Sequence, residues 1–276
     1  MSTEHISIER SGAVATLWLD RPDKLNALDR PMWSAIPAAV AGLDADPEVR
    51  TIVLAGRGKG FCAGIDLLDH APHIGTGGSL SGRGESAVGR RQALYEDIRR
   101  YQLAASCFAN TRKPVIAAVH GVCLGAGMDL ITACDIRLAS ADATFSVRET
   151  KVAMVADIGT LQRLPRLVGD GVARELVFTG CDIDAARARE IGLVNEVLPD
   201  HAGLLARAQA MAEEIAANSP LAVQGAKQVL GYAGRREDDA NLDYVALWNA
   251  AFLHSDDLGE ALAAFTQRRK PEFRGQ

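Results

Sequence analysis

Two acidic residues, Glu149 and Asp157, bracket a nearly apolar run, Val152-Ala153-Met154-Val155-Ala156, with Lys151 the only other charge between them. Burial in an apolar wall disfavours the ionised form of a carboxyl and raises its pKa toward neutrality. Such a group can take up and release protons near pH 7, as general acid–base catalysis requires. Two of them at opposite rims of one slot could serve the two ends of one substrate. Each also has a structural alternative. Asp157 precedes Ile158-Gly159-Thr160-Leu161 and could cap a helix. Glu149 could lie on an exposed turn beside Arg148 and Lys151.

A second pattern involves the backbone. The loops Ala63-Gly64-Ile65 and Gly125-Ala126-Gly127 each follow a short apolar segment, residues 51–55 and 115–119. Both carry glycine, which permits close approach of the main chain. A helix is expected to start directly at the second loop, and a helix start presents free amides and the positive end of the dipole. Two such amides converging on one point make an oxyanion hole, where one good donor contributes roughly 3 kcal/mol of transition-state stabilisation. Taken singly, the same glycines could serve only tight turns. Residues 121–127 do not form the GxGxxG dinucleotide pattern, and residues 56–60 are not a P-loop.

The elements that must position these groups read as α/β. Residues 5–10 and 14–19 alternate apolar and polar around Ser11-Gly12, as in a hairpin. Asp29 is placed to cap a helix running to about residue 43, with Pro31 in its first turn. Further strands are expected over 136–139 and 144–147. Helices are expected over 91–109, 160–168, 171–179, 185–191, 202–217, 220–231 and 242–254. The Gly- and Ser-rich stretch 71–89 reads as a mobile surface loop. Strand–helix alternation through residues 1–200 indicates an α/β core that would hold the site. Residues 201–276 read as a helical region that covers the core or packs on a partner subunit.

Bulk properties narrow the function classes. The chain has 276 residues, 48% apolar and 24% charged, an ordinary globular composition. A net charge of −5 argues against a nucleic-acid partner, which calls for a basic face. The five cysteines are odd in number and scattered, and read as reduced, buried thiols. The six histidines do not cluster and no CxxC or HExxH occurs, so no metal is expected. No apolar run reaches the ~18 residues of a membrane span. Residues 1–10 lack a signal-peptide core, and the chain ends without a peroxisomal tripeptide. The expectation is a cytoplasmic enzyme with neither membrane nor nucleic acid as partner.

Five stretches resemble the crotonase, or enoyl-CoA hydratase/isomerase, superfamily: "RPDKLNALD" (21–29), "GKGFCAGIDL" (58–67), "KPVIAAVHGVCLGAGMDLITACDIRLAS" (113–140), "GTLQRLPRLVG" (159–169) and "AREIGLVNEVLP" (188–199). They follow in order along nearly the whole chain. The resemblance implies a spiral of ββα units with a C-terminal helical trimerisation region, assembled as trimers or as hexamers made of two trimers. It implies acyl-CoA thioester substrates and no separate cofactor, since coenzyme A is part of the substrate. The oxyanion-hole amides it implies are those of Ile65 and Ala126, the latter standing where many relatives have Gly. Ala63, Gly64, Ile65, Asp66 and Gly125 would contact the thioester and coenzyme A, and Lys24, with Arg57 or Lys59, would approach its phosphates.

A typical hydratase of this superfamily has two Glu about twenty residues apart; here Asp129 and Glu149 stand 20 apart, and Asp157 follows eight residues later. The run "SVRETKVAMVADIGTLQRLP" is similar to that of Δ3,5-Δ2,4-dienoyl-CoA isomerases, in which acids at these three places are functional. The implied reaction moves the double bonds of a 3,5-dienoyl-CoA to the 2,4 positions. Glu149 would work at C2 and Asp157 at C6, with Asp129 orienting one of them and the two amides holding the dienolate. Two alternatives stay open. One is an enoyl-CoA hydratase, in which Asp129 and Glu149 position a water. The other is a non-catalytic acyl-CoA-binding protein that keeps the fold.

Overall fold

A computed structural model describes residues 2–3, 5–74 and 86–274. The alternating N-terminal stretch forms the expected antiparallel hairpin: Ser2–Thr3 (β1) pairs with Ile6–Ser11 (β2), and β2 with Val14–Leu19 (β3). Thr51–Gly56 (β4) then lies parallel to β3, and Val115–Val119 (β5) parallel to β4. Val122–Leu124 (β6) leaves this sheet. Ile136–Ser140 (β7) returns to it beside β5. Thr144–Ser146 (β8) pairs with β6, and Ile183–Asp184 (β9) with β8, in a second, three-stranded sheet. Glu196–Leu198 (β10) completes the first sheet next to β7, giving seven strands in the order β1-β2-β3-β4-β5-β7-β10. The strands of the parallel part are almost wholly buried, as expected where both faces are covered.

The helices cover those faces. Arg30–Ala45 (α1) starts where Asp29 accepts the Met32 N–H at 3.1 Å, with Pro31 in the first turn. Its apolar stripe, Met32, Trp33, Ile36, Val40 and Leu43, follows helical spacing and is buried. Leu67–Ile74 (α2) follows the first glycine loop. Ala87–Asn110 (α3) is longer than expected because Ser86 caps it, accepting the Gly89 N–H at 3.0 Å. The ends of the stretch 71–89, expected as a loop, are therefore helical, and residues 75–85 lie outside the described residues. Ala126–Thr132 (α4), Thr160–Val168 (α5), Asp170–Thr179 (α6) and Ala185–Glu190 (α7) follow in turn. His201–Ala216 (α8) lays Leu204, Ala208 and Ala212 across the sheet face made by Val14, Trp18 and Val53.

Pro220–Phe252 (α9) is one helix of 33 residues where two were expected. Gly231 and Gly234 each disfavour a helix interior by about 1 kcal/mol, hence the expected break. Tertiary anchors on either side override it. Lys227 Nζ binds Phe108 O and Lys113 O, both at 2.9 Å, and Asp135 at 2.7 Å. Asp238 takes both oxygens to Arg166 at 2.7 Å. Asp256–Gln267 (α10) ends the fold. No helix among the described residues is long and apolar enough to cross a membrane.

Candidate active site

The two glycine loops are joined by a short parallel zip. Cys62 faces Cys123: the Cys62 N–H donates to Val122 O at 2.9 Å, and the Leu124 N–H to Cys62 O at 3.0 Å. Three residues further on in each strand come Ile65 and Ala126, so the common offset brings these two residues side by side. Gly64 has φ +99°, and a Cβ there would sit 3.1 Å from Leu124 O and 3.8 Å from Ala126 N. Only glycine allows that conformation and that approach together.

Both amides are left free. Ile65 bridges Leu28 in parallel through its neighbours: the Leu28 N–H binds Gly64 O at 2.8 Å and the Asp66 N–H binds Leu28 O at 2.9 Å. This pattern turns the Ile65 N–H away from Leu28. Ala126 is the first residue of α4, where N–H groups have no partner within the helix. Neither amide has an acceptor among the described residues.

The acids gather at this cradle. Gly125 has φ +50°, and a Cβ on it would lie 3.4 Å from Glu149 Oε1 and 4.0 Å from Gly64 Cα, so the Glu149 carboxyl stands over the turn that carries Ala126. Glu149 opens a single 3-10 turn, Glu149–Val152, closed by Ala153 in the left-handed region. Asp129 lies in the first turn of α4 and is 1% exposed. Asp157 is half-buried in the segment leading to α5.

Burial dominates their electrostatics. It pushes Glu149 well above the ordinary carboxylate range, and the Asp129 and Asp157 charges add to the shift. Glu149 Oε2 is buried with no partner among the described residues, as suits a carboxyl that is neutral for much of the time. Burial also raises Asp129, against the pull of the Thr160 N–H and the Arg163 charge. Asp157 is raised to about 7 by burial, with the Asn249 hydrogen bond pulling down and the Asp129 charge adding. Three acids whose charges act on one another, at a rim of free amides, can move protons beside a developing anion.

Asp157 does not cap α5. Gly159 holds that position without a side-chain bond, and the Thr160 N–H donates instead to Asp129 Oδ1 at 2.7 Å. Asp129 therefore ties α4 to α5 and keeps one oxygen committed. The cap reading, made for Asp157, applies in part to Asp129.

An apolar wall lies next to Glu149. Leu253 and Leu258, from the C-terminal helices, pack with Ile65, Leu94, Ala153 and Met154. Among the remaining expected contacts, Ala63 hydrogen-bonds Leu25 O at 2.9 Å, which sets the exposed Lys24 beside the loop. Asp66 pairs with Arg21 at 2.7 Å and accepts the Leu68 and Asp69 N–H groups, so its carboxylate serves the loop and the start of α2. Arg57 lies 3.7 Å over the Trp18 ring and pairs with Glu9, which directs it away from a phosphate; Lys59 is exposed. His120 has Nε2 3.0 Å from Gly58 O, a structural contact.

Two residues near Asp157 escaped the sequence reading. Asn249 of α9 binds Asp157 Oδ2, and Gln102 of α3 binds Asp157 O at 2.7 Å and Leu242 O at 2.9 Å. Both are 3% exposed. The available signal was an Asn inside an apolar helical stretch, "ALWNAAF", since a buried amide needs partners.

A model of the enoyl-CoA hydratase/isomerase family matches residues 9–276. The chain belongs to this family. It is 43% identical over 276 residues, 98% of this chain and 92% of the relative, to the mitochondrial Δ(3,5)-Δ(2,4)-dienoyl-CoA isomerase of Dictyostelium discoideum. It is 43% identical over 270 residues, 98% of this chain and 96% of the relative, to the peroxisomal Δ(3,5)-Δ(2,4)-dienoyl-CoA isomerase of Arabidopsis thaliana. Among solved structures, the carnitinyl-CoA hydratase of Mycobacterium avium superposes with a TM-score of 0.83 at 31% identity, covering 100% of both chains. The crotonase-type α/β fold read from the sequence is the fold found.

These relatives overturn the cytoplasmic expectation, because enoyl-CoA hydratase/isomerase family members at this identity are named mitochondrial or peroxisomal. The free thiols, buried at Cys62, Cys123 and Cys134 and partly buried at Cys107 and Cys181, carry no address.

Proposed function

We propose that the protein converts 3,5-dienoyl-CoA to 2,4-dienoyl-CoA. The observation that carries this reading is the placement of a third acid, the half-buried Asp157, with raised proton affinity, beside the Asp129–Glu149 pair and the free Ile65 and Ala126 amides. Glu149, ionised, takes a proton from C2. The C2–H electron pair spreads through the conjugated chain into the thioester oxygen. That oxygen becomes the anion held by the Ile65 and Ala126 N–H groups. Asp157, protonated, gives its proton to C6 as the thioester C=O reforms and double bonds settle at C2–C3 and C4–C5. The two acids end with their protonation reversed, and exchange with solvent resets them. Asp129 orients the Thr160 turn and sets the charge felt by both. Gly64 and Gly125 let the thioester approach the cradle, and Ala63, Asp66 and Lys24 flank the path for coenzyme A.

Residues 1–200 supply the acids and amides of the acyl-CoA site in this proposal, while residues 201–276 add Asn249 and the Leu253–Leu258 wall together with the assembly surface. Tyr244, Leu247, Trp248 and Phe252 on α9 are 65%, 56%, 45% and 61% exposed, a stripe too apolar to face water alone and suited to trimer or hexamer formation. A second reading, hydration of a 2-enoyl-CoA by Asp129 and Glu149, draws on the likeness to the carnitinyl-CoA hydratase. The two part in one experiment. The protein is given 3,5-dienoyl-CoA and, separately, 2-enoyl-CoA, and absorbance follows the conjugated product or the loss of the enoyl double bond. Conversion of the first at a much greater rate supports isomerisation; conversion of only the second refutes it.

A further inference from the structure

We propose that Asn249 is the positioning residue of the distal acid, holding Asp157 Oδ2 so that proton exchange with the substrate runs through Oδ1. This inference rests on the isomerase reading. Asn249 lies on α9, 92 residues from Asp157, and meets it in a partly buried contact at 2.6 Å. Its other N–H goes to Val155 O at 2.9 Å. A backbone carbonyl can only accept, so that bond fixes which way the amide faces. Asn249 therefore presents a donor, and not its oxygen, to Asp157.

The consequence is chemical. In a protonated carboxyl the carbonyl oxygen is the stronger acceptor. The Asn249 bond thus makes Oδ2 the carbonyl and leaves Oδ1 to carry the acidic proton. Oδ1 has no partner among the described residues. When Asp157 is ionised the same N–H becomes a charge-assisted donor to the carboxylate. A purely structural amide would need only Val155 O. The segment is clasped twice, because Gln102 of α3 holds the Asp157 backbone oxygen and is itself bound by Arg99 at 2.8 Å. The charged groups that face Asp157 are Asp129 of α4 and Glu149 of the 3-10 turn, with Arg99 reaching it only through Gln102. Without Asn249, burial and the Asp129 charge remain, and both favour the protonated form.

The test compares wild type, Asn249→Leu and Asn249→Gln by three readouts: isomerisation rate, exchange of the C2 hydrogen in D2O, and the pH profile. The leucine variant keeps the volume and removes the donor. Its isomerisation should fall roughly 10–100-fold, the loss typical of a misplaced reacting group. C2 exchange should stay within about threefold of wild type, because Glu149 is untouched. The alkaline limb of its pH profile should move to higher pH, and Asn249→Gln should restore part of the rate. An Asn249→Leu enzyme with wild-type rate and profile overturns the inference. So does one in which exchange and isomerisation fall together with the profile unmoved. Should the leucine variant fail to fold, Asn249→Ser, shorter and still polar, carries the same three readouts. A wild-type protein that leaves 3,5-dienoyl-CoA unchanged defeats the isomerase reading itself, a result distinct from a working wild type matched by its Asn249 variants.

Discussion

Replacing Asp157 by Asn should separate the two halves of the reaction. The substitution is close to isosteric, and the new side-chain oxygen can still accept the Asn249 N–H that Asp157 Oδ2 takes at 2.6 Å. What is lost is the proton donor for C6. General acid–base transfer contributes about 10²–10⁴-fold per group. At about 1.4 kcal/mol per tenfold, that is roughly 3–5 kcal/mol of transition-state stabilisation. Stability should move the other way. The folded-state pKa of Asp157 is raised from 3.8 to about 7, so ionising it weakens the fold progressively as pH rises through that range. Asparagine removes this penalty, and Tm at pH 8 should hold or rise. The assay follows 2,4-dienoyl-CoA formation by absorbance and C2 deuteration of unreacted substrate by mass spectrometry. The expected result is a rate down by at least about 100-fold, with deuterium still entering C2 through Glu149. An Asp157→Asn enzyme at full rate refutes the assignment of Asp157. Loss of exchange and rate together, with a lowered Tm, would instead point to a damaged pocket.

Other perturbations follow from the same geometry. The forward reaction needs Glu149 ionised and Asp157 protonated; burial raises Glu149 to about 8 and Asp157 to about 7, so this pair is a minority protonation state whose population, and with it the rate, peaks between the two values and falls on either side; a flat profile from pH 5 to 9 would contradict this. Glu149 is raised from 4.5, so the fold loses stability as pH climbs through its shifted pKa, and Glu149→Gln should show a higher Tm than wild type at pH 9 and an equal one near pH 4. A Gln variant less stable than wild type at pH 9 would show that the burial argument is wrong. Gly125→Ala adds a Cβ at φ +50° and 3.4 Å from Glu149 Oε1, and should destabilise the fold by about 1–3 kcal/mol while lowering kcat more than tenfold, read by thermal melting and initial rates.

Much of this site was legible because its parts are local. Gly64 and Gly125 each sit where a strand turns, and the Asp29 cap and Pro31 mark the start of α1 within three residues. Spacing alone left Glu149 and Asp157 ambiguous between chemistry and solvated turns; resemblance weighted the choice, and burial then gave the acids their raised proton affinity. What stayed hidden depends on distant partners. Asn249 and Gln102 meet Asp157 across 92 and 55 residues of chain, and nothing at Asp157 itself announces them. The continuity of α9 was hidden for the same reason, since Gly231 and Gly234 argue locally for a break that Asp238 and Lys227 override through Arg166 and Asp135. Thr160 is another case: its N–H is satisfied by Asp129, from the preceding helix, rather than by the nearer Asp157.

The decisive measurement is the position of solvent hydrogen in the product made by the wild-type protein from 3,5-dienoyl-CoA in D2O. Proton removal by Glu149 and delivery by Asp157 predict 2,4-dienoyl-CoA with deuterium at C6. A 3-hydroxyacyl-CoA carrying solvent oxygen at C3, or a 2,4-diene without deuterium at C6, would contradict it.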